Sequence, residues 1–351
     1  MDRLLNCENY RRFGVELELN TADGIVKKLD KSKNEIPLGA DRVAILIRRT
    51  LKAPVEIQCW DYNYNNEEWI IKPDRSCGME VCTPVLKGYK GICDLVKVVE
   101  AFRKNSIRAD DRCSLHVHVN IADLNINQLA SVIAWYIKCE HVFMDSVPSH
   151  RKINRYCQML GMTDFITTNF QITPNNLLEA VSLVKYYSLN AYHFLKGGGF
   201  NEYKNYNSRK KTIEFRIGEA AMCLDSFAVK NWIRLLLHFV DVTKDLPLPK
   251  KYEVGNPWSG LLWLDPQDVF GIMGFDQPCS EGLTQVKNWF ASRIIKNIHT
   301  NRKTGVFSHS GRFESYRNFL DFYEKFCNEI NIDYDDEELM NDLLYNRKFS
   351  K

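Results

Sequence analysis

Along the chain the hydrophobic pattern switches between two periods. In FGVELEL (13–19) apolar and polar positions alternate, which predicts a half-buried strand. Residues 41–52 bring Val43, Leu46, Ile47 and Leu51 onto one helical face, and Pro54 stops that helix. EEWIIK (67–72) and GMEVCT (78–83) flank PDRSCG, whose Pro73, Asp74, Ser76 and Gly78 are turn formers, so this reads as a hairpin or a tight strand–loop–strand. Residues 91–104 return to helical spacing through Ile92, Leu95, Val96, Val99 and Phe102, and CSLHVHVN (113–120) to alternation. Asn125 or Asn127 can cap a helix reaching about residue 144. A helix around 176–195 is expected to end at Gly197–Gly199, before the strand KTIEFRIG (211–218). Asp225 can cap a further helix carrying Val229, Trp232, Ile233, Leu236 and Phe239.

LPLP (246–249) then breaks the pattern, and helical stretches follow near 281–299, 312–330 and 335–346. The expected division is 1–245 as the main domain and 246–351 as a helical extension of unread role. Separated alternating segments with helices between them point to an α+β fold, a mainly antiparallel sheet with helices on one face.

Composition narrows the class. Hydrophobic residues make up 45% of the 351 and aromatics 12%, enough for a sizeable core and too much for a disordered chain. The formal charge of +3 is too small to imply a nucleic-acid or anionic-membrane partner. The first residues carry acids and lack the apolar run of a secretory signal, and no uncharged apolar run reaches the roughly 18 residues that span a bilayer. The 11 cysteines are odd in number and scattered, with no C-x-x-C pair, as in a reducing compartment. A soluble cytoplasmic protein is expected.

Strand parity singles out the chemistry. Glu16 and Glu18 share one face opposite Val15, Leu17 and Leu19, with their Cβ atoms about 6–7 Å apart. His116 and His118 share a face opposite Val117 and Val119. Glu214 and Arg216 oppose Ile213, Phe215 and Ile217, and Glu80 and Cys82 oppose Met79 and Val81. Each strand alone reads as an ordinary amphipathic strand with solvated acids. If the four are neighbours, their polar faces make one surface of carboxylate, imidazole and guanidinium, suited to Mg²⁺ or Mn²⁺ and to a transferred phosphate. No phosphate-binding glycine loop accompanies it.

The order FGVELEL, WIIKPDRSCGMEVCTPVL, CSLHVHVN, KTIEFRIGEA, followed by an amphipathic helix with a central Trp, resembles the amidoligases over roughly residues 10–245. That family is related to glutamine synthetase and the glutamate–cysteine ligases. The resemblance implies a glutamine synthetase-like curved antiparallel sheet and an ATP-dependent carboxylate–amine ligase with Mg²⁺ (or Mn²⁺) at the open face. It implies that Glu16, His116 and Glu214 hold one cation and Glu18 and Glu80 a second. His118 would contact the ATP phosphates, Arg216 would stabilise the moving phosphoryl group, and Asp74 and Ser76 would line the acceptor side. Arg75 and Cys82 depart from the small residue and the Ser common at those positions in the family.

Arg151 and Arg155 are four apart and could clamp an anion from one helical face, Arg155 being the one that resembles a family Arg before Tyr-Cys. Tyr187 and Asn190 either wall the site or pack and cap. NEYKNYNSRKK (201–211) reads as a lid or as a solvated loop. The expected substrates are a small-molecule or peptide carboxylate and an amine, plausibly glutamyl or peptidyl, with the oligomeric state open. The alternatives are a metal-dependent hydrolase on the same surface, a non-catalytic binding module, and a Cys77–His116 nucleophile, which lacks any accompanying signature.

Overall fold

The computed structural model describes residues 11–20, 27–29, 35–59, 67–162, 170–182, 186–191, 211–256 and 258–304. The chain divides into two compact units, 1–307 and 308–351. The second lies outside the described residues, as do the helices expected at 312–330 and 335–346 and the lid candidate up to residue 210.

The strands are β1 (Arg12–Leu19), β2 (Lys27–Leu29), β3 (Glu35–Pro37), β4 (Val55–Ile57), β5 (Trp69–Asp74), β6 (Gly78–Cys82), β7 (Leu86–Lys87), β8 (Ser114–Asn120), β9 (Leu189–Asn190) and β10 (Thr212–Glu219). The helices are α1 (Ala40–Leu51), α2 (Gly88–Lys104), α3 (Ile126–Asp145), α4 (Ser149–Lys152), α5 (Pro174–Ser182), α6 (Ser226–Thr243), α7 (Pro266–Ile272) and α8 (Glu281–Thr304). The main sheet runs β4-β5-β6-β1-β8-β10-β9, with β7 also on β1, and β2 and β3 form a separate ribbon. Only the β4–β5 pair is parallel among these described strands. This is an α+β architecture.

Pleating decides which way each strand faces. Phe13, Val15 and Leu17 of β1 lie level with Val119, Val117 and Leu115 of β8, and Ile213 and Phe215 of β10 continue the row. All are buried. Helices cover this apolar side: the Tyr136 ring of α3 meets Phe215 at 5.4 Å and Phe239 of α6 at 6.0 Å. Each large side chain so buried contributes about 1.5–3 kcal/mol.

The caps form as expected. Asn125 and Gln128 make a reciprocal capping box at α3, and Asp225 accepts from the Phe227 and Ala228 amides at α6. From Leu129 to Asp145 every residue of α3 is buried, not only its apolar face. Residues beyond Leu246 lie on it: Trp135 Nε1 donates to the Pro247 carbonyl, and Lys138 Nζ to the carbonyls of Ser259, Gly260 and Leu262.

Of the helix expected over 176–195, the described part runs Pro174–Ser182, Leu189–Asn190 is a strand instead, and residues 183–185 and 192–195 lie outside the described residues. Short apolar runs fit either period. Tertiary pairing decides here: Ser188 accepts from the Arg216 amide and donates its own amide to Gln158, while Leu189 and Asn190 pair with Phe215 and Glu214.

Candidate active site

On the face away from the helices, strand register assembles the polar residues in rows. Glu16 lies between Cys82 on β6 and His116 on β8. Glu80 lies between Lys72 on β5 and Glu18 on β1. His118 lies between Gly14 and Glu214, and Asn190 of β9 follows Glu214. The four strands are thus neighbours, and Glu16 and Glu214, far apart in sequence, meet because β1 and β10 both pair with β8.

Near Arg216 the ladder is irregular, with the register shifting between Phe215 and Gly218. A Cβ at Gly218 would stand 2.5 Å from the Leu115 carbonyl oxygen, so only glycine lets β10 close against β8 there. Arg151, buried on α4, donates from Nη2 to the Arg216 carbonyl at 2.6 Å and holds the irregular turn.

The side chains interlock. His116 Nδ1 is 3.1 Å from Glu16 Oε2 and 3.3 Å from Glu214 Oε1, and its Nε2 is 2.8 Å from Ser114 Oγ. His118 Nε2 lies 3.0 Å from Glu16 Oε1. Glu214 accepts from Asn190 Nδ2 at 2.7 Å and from Arg216 Nη1 at 2.5 Å, while Arg216 Nε donates to the Tyr156 carbonyl. Glu18 accepts from Ser114 Oγ at 2.7 Å. Glu80 Oε1 is 2.9 Å from Lys72 Nζ and 3.1 Å from Cys82 Sγ.

Two groups bring ligand atoms within 4.8 Å of one another: Glu16, His118 and Glu214; and Glu16, Glu80 and Cys82. His118 joins Glu16 and Glu214 in the first, and His116 Nδ1 lies against the same two carboxylates. Glu80 groups with Glu16 and Cys82, while Glu18 accepts from Ser114 Oγ and lies 3.6 Å from His116 Nε2.

Electrostatics separates the acids. Burial raises the pKa of Glu16, but the His118 charge, hydrogen bonds from both histidines and Lys72 outweigh it and leave Glu16 well below the usual carboxylate range. Glu214 is likewise lowered against its burial, chiefly by Arg216 and then His118. Burial, with Asp74 as the next cause, pushes Glu18 well up. Burial and then Glu16 raise Glu80 to about 7. Burial and then Arg216 lower His116. Two ionised carboxylates and an imidazole in reach of one point are a donor set for a hard divalent cation.

Asp74 Oδ1 accepts from the Ser76 and Cys77 amides and from Ser76 Oγ, which closes the loop between β5 and β6. The Cys77 thiol is buried, donating to Asp74 and to the Met79 carbonyl, whereas His116 faces the carboxylates. Arg151 and Arg155 do not form a clamp. α4 is a single turn ending at Lys152, so Arg155 lies beyond it, exposed, with its guanidinium over the Tyr156 ring at 4.8 Å. Tyr187 is buried against the Gln158 bridge and Asn190 is part of the site.

Sequence reasoning passed over Lys72 and Ser114, and it left Asn190 open. The parity rule that selected Glu80 would have found Lys72 by counting back across the hairpin. Asn190 had no such signal, because its strand is two residues long.

No curated protein matches the chain. A solved structure described as a novel glutamine synthase homolog aligns at 12% identity and a TM-score of 0.41, over 85% of this chain and 70% of that one. The model of the family described as "Putative amidoligase enzyme" matches residues 9–240, the span that holds every strand of the site. The chain belongs to that amidoligase family.

Proposed function

We propose that the protein is an ATP- and Mg²⁺-dependent carboxylate–amine ligase working through an acyl phosphate, with a glutamyl or peptidyl carboxylate as acceptor. The observation that carries this reading is the convergence of Glu16, His118 and Glu214 within 4.8 Å, beside Arg216, in a chain of the amidoligase family.

A carboxylate is a poor acylating agent, so one of its oxygens must first take the terminal phosphoryl group of ATP, releasing ADP. The amine then attacks the acyl carbon, and phosphate leaves as the amine loses a proton. Glu16, His118 and Glu214 would hold the cation, which when bound offsets phosphate charge. Arg216, tied to Glu214 and to the Tyr156 carbonyl, holds a fixed positive charge beside the phosphoryl group's path. Arg151 acts on this step as a positioning residue, through the Arg216 carbonyl. The Asp74–Ser76 loop and the exposed Arg155 are the acceptor-side contacts.

The test is ADP release with Mg²⁺ or Mn²⁺ across a panel of glutamate, glutamyl peptides and amines. The ligase releases ADP only when carboxylate and amine are both supplied. Amide hydrolysis without ATP would overturn the reading in favour of a metal-dependent hydrolase, and failure to bind an ATP analogue would end it outright.

A further inference from the structure

The polar face of the sheet extends past the acids towards the start of β1. Strand parity puts Arg12 and Gly14 on the same face as Glu16 and Glu18, and Arg12 is exposed while Phe13 and Val15 are buried. Lys87 of β7 lies directly opposite Arg12, and buried Leu86 opposite Phe13, so Lys87 emerges on this face too and is exposed. Two like charges directly opposite each other in an antiparallel pair destabilise it. No ion pair or side-chain hydrogen bond joins either cation to another described residue. One step beyond the Phe13–Val119 pair the row continues with Asn120 and its partner Thr212, neither of them an acid. The other cations in the strands of the main sheet, Lys72 and Arg216, each have a carboxylate, Glu80 and Glu214. Between the unmatched cations and the acids lies Gly14. A Cβ there would meet His118 Cβ at 3.9 Å and Thr83 Oγ1 at 4.0 Å, ordinary contacts, so packing does not demand glycine. Its presence leaves a gap in the row of side chains from Arg12 to Glu16, a run of about 13 Å at roughly 3.3 Å per residue.

We propose that Arg12 and Lys87 bind the non-transferred phosphates of the nucleotide, whose phosphate chain runs over Gly14 with its terminal phosphoryl group at Glu16, His118 and Glu214. This rests on the ligase reading above and gives the site a direction. The Asp74 loop lies at the other end of these strands, beyond the Glu18–Glu80 pair. The nucleotide therefore enters from the start of β1 and the acceptor carboxylate from its end. An anion between Arg12 and Lys87 turns their mutual repulsion into two charge-assisted contacts. The pair thereby takes the part of the phosphate-binding glycine loop that the sequence lacks.

The experiment measures binding of a non-hydrolysable ATP analogue and of ADP, each with Mn²⁺, to the full-length chain by calorimetry. Arg12→Gln and Lys87→Gln are each expected to weaken both nucleotides by about tenfold, the loss of one charge-assisted contact. Arg12→Lys is expected to recover most of that loss, and Mn²⁺ binding without nucleotide is expected to stay unchanged in all three. Lost affinity for ADP marks contacts to phosphates that are not transferred. Wild-type nucleotide affinity in both Gln variants, folded by circular dichroism, would overturn the proposal and leave the ligase reading standing. Weakened binding of glutamate or a glutamyl peptide with nucleotide affinity intact would also overturn it, by giving the cations to the acceptor. A second measurement needs no variant: modification of Lys87 by an amine-reactive ester, followed by peptide mass spectrometry, is expected to slow severalfold when the analogue and Mn²⁺ are bound. A rate that the bound analogue leaves unchanged would overturn the proposal even if the variants fail to fold. A wild type that binds no nucleotide would end the ligase reading and this proposal with it, a failure visible before any variant is made.

Discussion

At the scale of single residues, the site is a contest between desolvation and neighbouring charge, and Glu16 and Glu80 lie on opposite sides of it. Both are acids near the middle of one sheet face, but Glu16 has two imidazoles beside it and Glu80 has Glu16. Glu16 is therefore ready to bind a cation at neutral pH without first losing a proton. Glu16→Gln keeps the side-chain volume and removes the charge that both histidines contact. It is expected to lower ADP release by at least about 100-fold, the size of effect seen when a transition-state electrostatic contact is lost, while circular dichroism shows a folded chain. Near-native turnover would mean that Glu16 is no ligand. Glu214→Gln is expected to behave alike, because Glu214 also anchors Arg216.

Among the elements, α3 shows how a helix wrapped on all sides handles polar residues. Glu140 accepts from the Leu160 and Gly161 amides, each at 2.8 Å, and from Ser188 Oγ. It thereby fastens the turn after Cys157 and the start of β9, next to the strand that carries Glu214. Burial wins over those three donors and raises its pKa from 4.5 to about 7. The unfolded carboxyl releases its proton near 4.5 while the folded one keeps it to about 7. Its contribution is therefore fully present below 4.5 and declines as pH rises to 7, by about 3 kcal/mol in all. Urea unfolding of wild type and Glu140→Gln across that window should show the decline flattening in the variant, whatever its absolute stability. An unchanged slope would mean that other groups carry it.

For the whole molecule, the proposed cation ligands come together only when β1, β8 and β10 are paired, so a cation that binds there binds the folded state alone. At about 100 times its dissociation constant, Mn²⁺ should add about 2.7 kcal/mol to stability, read as a raised urea midpoint that Glu16→Gln abolishes. An equal shift in that variant would point to binding elsewhere.

Strand parity alone determined which side chains would face together. A period of two leaves no choice about Glu16 with Glu18, His116 with His118, or Glu214 with Arg216, and the α+β class and the caps at Asn125 and Asp225 follow from equally local rules. Grouping is another matter. Which histidine reaches which carboxylate, that Glu18 turns to Ser114, that Arg151 is spent on a backbone carbonyl, and that Lys72 and Asn190 belong to the site were all decided by pairing between distant strands. The helical reading of 189–190 failed for that reason too: a two-residue strand carries no period of its own, and its conformation comes from the hydrogen bonds that β10 offers it.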